Sequence, residues 1–159
     1  MIKISDETKK FVEKNIALIE QNKFNEFYRI AHDEFLTKYM YELYHVLQSV
    51  NINPLNYMHS VPHFFLYDEP TIKMFNIPRG VSVIGVSAFE RSSVEVLKIP
   101  DTVHYIQRQA LQSDSLKKIV FDGTRAEWHK IVKHDKLRSD ILLKCSDVIT
   151  ISFQMNHNI

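Results

Sequence analysis

The sequence has a single cysteine, Cys145, so neither an internal disulfide nor a multi-cysteine zinc site can form. Only three glycines occur in 159 residues, Gly80, Gly85 and Gly123, and they are too scattered for a phosphate-cradling loop. An excess of either charge is also missing: twenty Lys and Arg against nineteen Asp and Glu give +1. That balance argues against a polyanion mimic and against a dedicated nucleic-acid binder. No apolar run approaches the roughly 18 residues of a membrane span. There is no Asn-x-Ser/Thr sequon, and the opening residues Met1 to Asp6 meet charge too early for a signal peptide. These absences predict a reducing, cytoplasmic setting and no membrane partner. What remains is 45% hydrophobic and 25% charged, enough for one packed domain.

The chain changes character near residue 70. Before it, helical periodicity dominates. Ser5 followed by Asp6 and Glu7 reads as an N-cap with acids at the positive end of a helix. Val12, Ile16 and Ile19 recur at helical spacing, flanked by Phe11 and Leu18. A second short helix carries Phe24, Phe27, Tyr28 and Ile30. A third is predicted from the stripe Leu36, Tyr39/Met40, Leu43, Val46/Leu47 and Val50, ending at Asn51-Ile-Asn-Pro54.

After residue 70 the signal is an internal repeat of period 22. Ile72, Val94 and Leu116 align, as do Phe75, Leu97 and Ile119, and then Ile77, Ile99 and Phe121. Pro78 matches Pro100, Val81 matches Val103, Ile84 matches Ile106, Ala88 matches Ala110 and Phe89 matches Leu111. Each copy reads as a short strand stopped at Ile-Pro, a second extended piece and a small corner. A 22-residue unit cannot bury its own apolar face, so units must stack and both ends need caps. The helices are expected to cap one end and residues 123–159 the other.

Residues 77–89, IPRGVSVIGVSAF, resemble the repeat of BspA-type leucine-rich repeat proteins, Ile-Pro-x-x-Val-x-x-Ile-Gly-x-x-Ala-Phe. The second copy, IPDTVHYIQRQAL, keeps Pro100, Val103, Ile106 and Ala110 but has Gln107 for the glycine and Leu111 for the phenylalanine. The cysteine that commonly follows is Ser92 in one copy and Asp114 in the next. FDGTRAEWHKI at 121–131 is similar to the family's terminal element, and the stretch from Ile141 to Asp147 to its closing strand. The match covers about residues 72–153 and implies a fold and a habit of binding proteins, with no catalytic residues. The helical N-terminus running through Pro54 to Met58 resembles small leucine-rich proteins of bacteriophage genomes.

Chemistry finds few candidates. His59 and His63 have the spacing of two ligands on one helix face, but Pro62 breaks that helix. His129, His134 and Asp135 are surrounded by Lys130, Lys133 and Lys136, which repel a divalent metal. Neither a metal site nor a cofactor is expected. Gly85-Val-Ser-Ala-Phe89 lacks the second glycine of a nucleophile elbow. Cys145 lies in an apolar stretch and reads as a buried, inert thiol.

Surfaces are more informative. Residues 1–76 carry eight bases and ten acids, whereas residues 117–159 carry eight bases and five acids. Lys130, Lys133, Lys136 and Arg138 are therefore where a nucleic-acid interface would start, though interleaved Asp122, Glu127, Asp135 and Asp140 favour a solvated cap. Tyr41 and His45 lie off the main stripe of the third helix and either pack on neighbouring elements or serve an interface. In the repeat, the rows 72/94/116, 75/97/119 and 77/99/121 point inward, so Met74, Val96 and Lys118 form an outward ladder. Either the helices fold over Met74 and Val96, the reading favoured on sequence, or these residues form a small apolar contact centre with a charged rim.

The sequence thus predicts an α+β fold. An N-terminal helical cap over residues 1–66 is followed by a short leucine-rich-repeat β solenoid over 67–159, closed by a C-terminal helix-strand cap, all one cooperative unit. The expected function is non-catalytic protein binding. The phage likeness implies a phage-encoded inhibitor of a bacterial host or defence protein. The alternative is nucleic-acid binding through the C-terminal basic surface, with a small hydrolase third.

Overall fold

The computed structural model describes residues 2–133 and 137–147. Helix α1 (Asp6–Lys14) begins as expected, with the Ser5 hydroxyl accepting the Thr8 N–H. It stops at Asn15, whose side-chain amide donates to the Phe11 carbonyl at 2.9 Å. A short α2 (Ile16–Glu20) follows. The break moves the buried face from the expected Val12–Ile16–Ile19 stripe to Thr8, Phe11 and Ile19, and leaves Ile16 exposed. Helix α3 (Phe24–Phe35) buries Phe24, Phe27, Tyr28 and Ala31. The next helix does not start at Leu36. Leu36 (φ 56) and Tyr39 (φ 69) both adopt left-handed backbone, turning the chain before α4 (Met40–Ser49) begins. Met40, Leu43 and Leu47 are buried as the stripe predicted, while its outer members Leu36 and Val50 are exposed. The stop at 51–54 holds: Asn51 is left-handed, and Asn53 caps a 3-10 turn with Pro54 at its first position.

Helices α1 and α4 are joined by a buried carboxylate. Glu42 accepts hydrogen bonds from the Ser5 N–H (2.7 Å), the Ser5 hydroxyl (2.8 Å) and the Thr8 hydroxyl (2.6 Å). It lies at the N-terminal end of α1, where the helix dipole favours negative charge. Buried carboxylates persist only when their oxygens are satisfied in this way.

The repeat builds two parallel sheets. One contains β1 (Ser60–Val61), β3 (Val83–Ile84) and β5 (Tyr105–Ile106) in that order. The other contains β2 (Met74–Asn76), β4 (Val96–Ile99), β6 (Lys118–Phe121) and β7 (Leu142–Lys144). The period of 22 is the pairing register itself: Met74 faces Val96, which faces Lys118. A third strip of backbone bonds runs along the corners. Phe64, Leu66 and Asp68 donate to the carbonyls of Val86, Ala88 and Glu90, and Ser87, Phe89 and Arg91 to those of Arg108, Ala110 and Gln112. The chain is therefore a helical region followed by a β solenoid of about four turns.

The ladder begins earlier than the repeat suggested. Strand β1 at Ser60–Val61 pairs with β3 inside the stretch assigned to the helical cap. Its spacing to the next turn is 23 rather than 22 (Ser60 to Val83), and Phe64-Phe65-Leu66 stands where later turns carry Ser87-Ala88-Phe89. A one-residue offset and a change of residue size hid this turn from the alignment. Its core residue, Phe65, packs against Phe75 and Phe89 within the solenoid, and against Tyr28 and Tyr44 from the helices. One hydrophobic core thus runs from the helices into the strands. Gly85 is needed here because any Cβ would meet the Val61 carbonyl oxygen at 2.5 Å. Among the described residues, no helix is long and apolar enough to cross a membrane.

The C-terminal element forms as the motif suggests. Helix α5 (Arg125–Ile131) starts with a capping box in which Thr124 and Glu127 bond each other's backbone N–H groups. A side chain at Gly123 would collide with the Glu127 carboxylate and the Phe121 ring. Trp128 and Ile131 both face inward, and the Trp128 ring lies 5.4 Å from that of Phe121. We expect Trp128→Ala to cost about 3–5 kcal/mol, and iodide to leave the native tryptophan fluorescence largely unquenched. Because the first turn shares its core with the helices, residues 70–159 expressed alone should aggregate or remain unfolded. A soluble fragment with a cooperative melt would show instead that the strands fold independently.

Candidate functional site

The four-stranded sheet presents one regular outer face. Phe75, Leu97 and Ile119 point into the core, so their neighbours point out. Entry to each strand is set by a repeated bend. The Lys73 carbonyl accepts from both Glu95 and Val96 N–H, and the Glu95 carbonyl from both Lys117 and Lys118 N–H. This bend explains why the buried rows fall at 72, 75 and 77 rather than alternating strictly.

Two outward ladders result. The first runs Met74, Val96, Lys118 and Leu142, paired in register across all four strands. The second runs Asn76, Lys98, Val120 and Lys144. Met74 is 59% exposed and Leu142 61%, while Val96, Lys118 and Val120 are half-buried by their neighbours. The helices do not fold over Met74, so the favoured sequence expectation fails and the outward assignment stands. They pack instead on the inner side of the first turns, where the Tyr44 ring meets that of Phe75 at 5.5 Å. The eight outward positions hold three lysines, four apolar residues, Asn76 and no carboxylate. Glu95 at the margin pairs with Lys117 at 3.4 Å. Leu142 was missed in the sequence because α5 lies between β6 and β7, which lengthens the spacing to 24 residues (Lys118 to Leu142).

Tyr41 and His45 stand elsewhere, at the junction of α4 with the solenoid. His45 Nε2 lies 3.0 Å from Oε1 of Glu69, a carboxylate with no exposed surface. Glu69 also accepts from the Thr71 N–H (2.9 Å), the Thr71 hydroxyl (2.6 Å) and the Ile72 N–H (2.7 Å). Its carbonyl accepts from Ser93 of the next turn. The Tyr41 ring meets His45 edge-on at 6.3 Å. Burial raises the Tyr41 phenol above its ordinary value, and the nearby carboxylates of Glu42, Asp68 and Glu69 add to the shift. Burial likewise raises Tyr44, again with Glu69 contributing. His45 is thus engaged in holding α4 to the strands.

The basic set is divided. Lys130 and Lys133 are exposed, Lys136 lies outside the described residues, and Arg138 is committed to the fold. The Arg138 guanidinium donates to the carbonyls of Ser113 (3.0 Å) and Leu116 and pairs with Asp140 (3.0 Å) and Asp114 (3.6 Å). It closes open carbonyls of the last turn, which leaves little of it for phosphate.

The remaining candidates find structural roles. His59 and His63 flank strand β1, so they share no helix face. His134 and Asp135 lie outside the described residues, and no cluster of three metal-ligating side chains occurs among those described. Ser87 is a buried corner residue with left-handed backbone (φ 55), which its N–H bond to Arg108 helps hold. Cys145 is buried. Desolvation pushes its thiol above the ordinary value, opposed by Arg125 and reinforced by Asp147, so it is a poor nucleophile.

A family model described as a BspA-type leucine rich repeat region in six copies matches residues 34–130 and 59–158. The match starts upstream of residue 72 and takes in the first turn at β1. No curated protein and no solved structure matches the chain.

We expect Glu69→Ala to destabilise the protein by about 2–3 kcal/mol, because it strands the N–H groups of Thr71 and Ile72. Glu69→Gln should cost less, since its carbonyl still accepts; urea unfolding of the two variants distinguishes them.

Proposed function

Since the chain belongs to the BspA-type leucine-rich repeat family, we infer that it is a non-catalytic protein-binding module whose contact surface is the outer face of the four-stranded sheet. The family suggests a protein-interaction module, and its repeat solenoid is typically a non-enzymatic scaffold. The observation that supports the surface is the ladder Met74, Val96, Lys118 and Leu142, where exposed apolar side chains lie in register with a lysine. Apolar residues at outward positions do nothing for the core, whereas an apolar centre with a charged margin suits recognition. Lys98, Lys118 and Lys144, with no carboxylate among the outward positions, favour an acidic surface on the partner.

The likeness of the N-terminal helices to bacteriophage proteins supports reading the partner as a bacterial host protein, such as a component of host defence, bound and inhibited in the host cytoplasm. Tyr41, half-buried beside His45, stands as a secondary contact at the helix–strand junction. The nucleic-acid reading retains Lys130 and Lys133 but is weakened by the commitment of Arg138 to the last turn.

The test is a Met74→Asp/Leu142→Asp double variant. Both side chains are mostly exposed, so the melting temperature should stay within about 2 °C of wild type, while co-purification of a defined host protein is lost. Steeply salt-dependent retention of the wild type on DNA would favour the nucleic-acid reading instead. A variant that unfolds would place these residues in the core.

A further inference from the structure

A concavity lies at the other sheet, away from the proposed contact face. It is a cleft of about 290 Å³ between α3 and the strands β1 and β3. One wall is a single face of α3, with Asn25, Tyr28, Arg29 and His32 at helical spacing. The floor is Met58, Val61, Pro62, Val83 and the bare backbone at Gly85, and His63 and Gln107 complete the rim.

The polar groups around this apolar floor are biased toward donors. Tyr28 has a hydroxyl that water does not reach and that no group among the described residues accepts. Burial, with Tyr44 nearby, raises this phenol well above its ordinary value, and with the hydroxyl enclosed it is the ring of Tyr28 that borders the cleft. Gln107 uses its side-chain oxygen to accept the Val86 N–H at 3.1 Å, so its other end offers amide hydrogens. Arg29 is largely exposed and held only by a 3.7 Å pair with Asp33. His32 stacks on Phe64 and meets His63 edge-on, so flat aromatic surface borders the opening. No carboxylate lines the cleft.

We propose that this cleft between α3 and the three-stranded sheet binds a small aromatic carboxylate, its ring on the apolar floor and its anionic group between Arg29 and Gln107. The volume sits at the small end of ligand sites, which fits one ring system and a short acid arm. Nothing in the packing of the solenoid calls for a donor-lined opening at this position.

The test uses the intact protein with benzoate, 4-phenylbutyrate and indole-3-acetate as probes, each paired with its neutral amide. Binding is read by NMR shifts of the His32 and His63 rings and the Gln107 side-chain amide. At least one carboxylate should bind saturably below about 10 mM, and its amide should bind at least about tenfold more weakly. Arg29→Gln and Arg29→Glu alter an exposed side chain, so both should melt close to the wild-type temperature while losing about tenfold or more in affinity. The proposal is overturned if no carboxylate binds, if the amides bind equally well, or if both folded variants bind as the wild type does.

Discussion

Everything in this protein depends on one constraint: a single turn of the repeat cannot bury its own apolar side. Stacking in register meets it. Phe75, Leu97 and Ile119 form one inward row, Val61, Ile84 and Ile106 another, and Ala88 and Ala110 keep the corners thin enough to stack. The backbone follows suit, because N–H groups of one turn find carbonyls on a neighbouring turn along both sheets, and along the corner strip they donate to the turn that follows. Left-handed backbone at the corner recurs at Phe64, Ser87 and Gln109, none of them glycine, so the stacked bonds around each corner hold a conformation its residue does not prefer.

The ends are where stacking fails, and each is closed differently. At the first turn the core continues into aromatic side chains of α3 and α4, with Phe65 touching Tyr28, Tyr44, Phe75 and Phe89. A buried carboxylate, Glu69, fixes that junction, and a second, Glu42, ties α1 to α4. Glu42 gathers the start of α1, and Glu69 gathers the loop that leads into β2 while meeting His45. At the last turn Trp128 covers Phe121 and Arg138 takes carbonyls of the final corner. The two ends thus use charge in complementary forms, buried acceptors where N–H groups are loose and a partly exposed donor where carbonyls are loose.

Closing both ends leaves two faces free. The four-stranded sheet keeps lysines and apolar residues outward, a surface suited to a macromolecule with acidic margins. The three-stranded sheet is partly roofed by α3, which leaves a cleft of small-molecule size rather than a flat face. Their difference comes from α3, whose Asn25, Tyr28, Arg29 and His32 stand beside β1 and β3, whereas Met74 of the other sheet stays exposed.

The period of 22, the inward rows, the Ile-Pro stops, the Gly-Thr-x-Ala-x-Trp cap and the outward ladder of Met74, Val96 and Lys118 were all legible in the chain. Each depends on residues close in sequence or on a fixed repeat, so local chemistry specifies them. The break of the first helix at Asn15, the late start of α4, the extra turn at Ser60 and the arrival of Leu142 on the ladder were decided in three dimensions. So were the engagement of His45 and Arg138 in the fold, the burial of Glu42 and Glu69, and the cleft beside Tyr28. These features set where non-repeating segments dock, and docking is chosen by contacts between residues 20 to 40 positions apart. A periodic pattern states how turns follow one another; which side chain satisfies a stray carbonyl or lies over a sheet is settled only when distant segments compete for the same place.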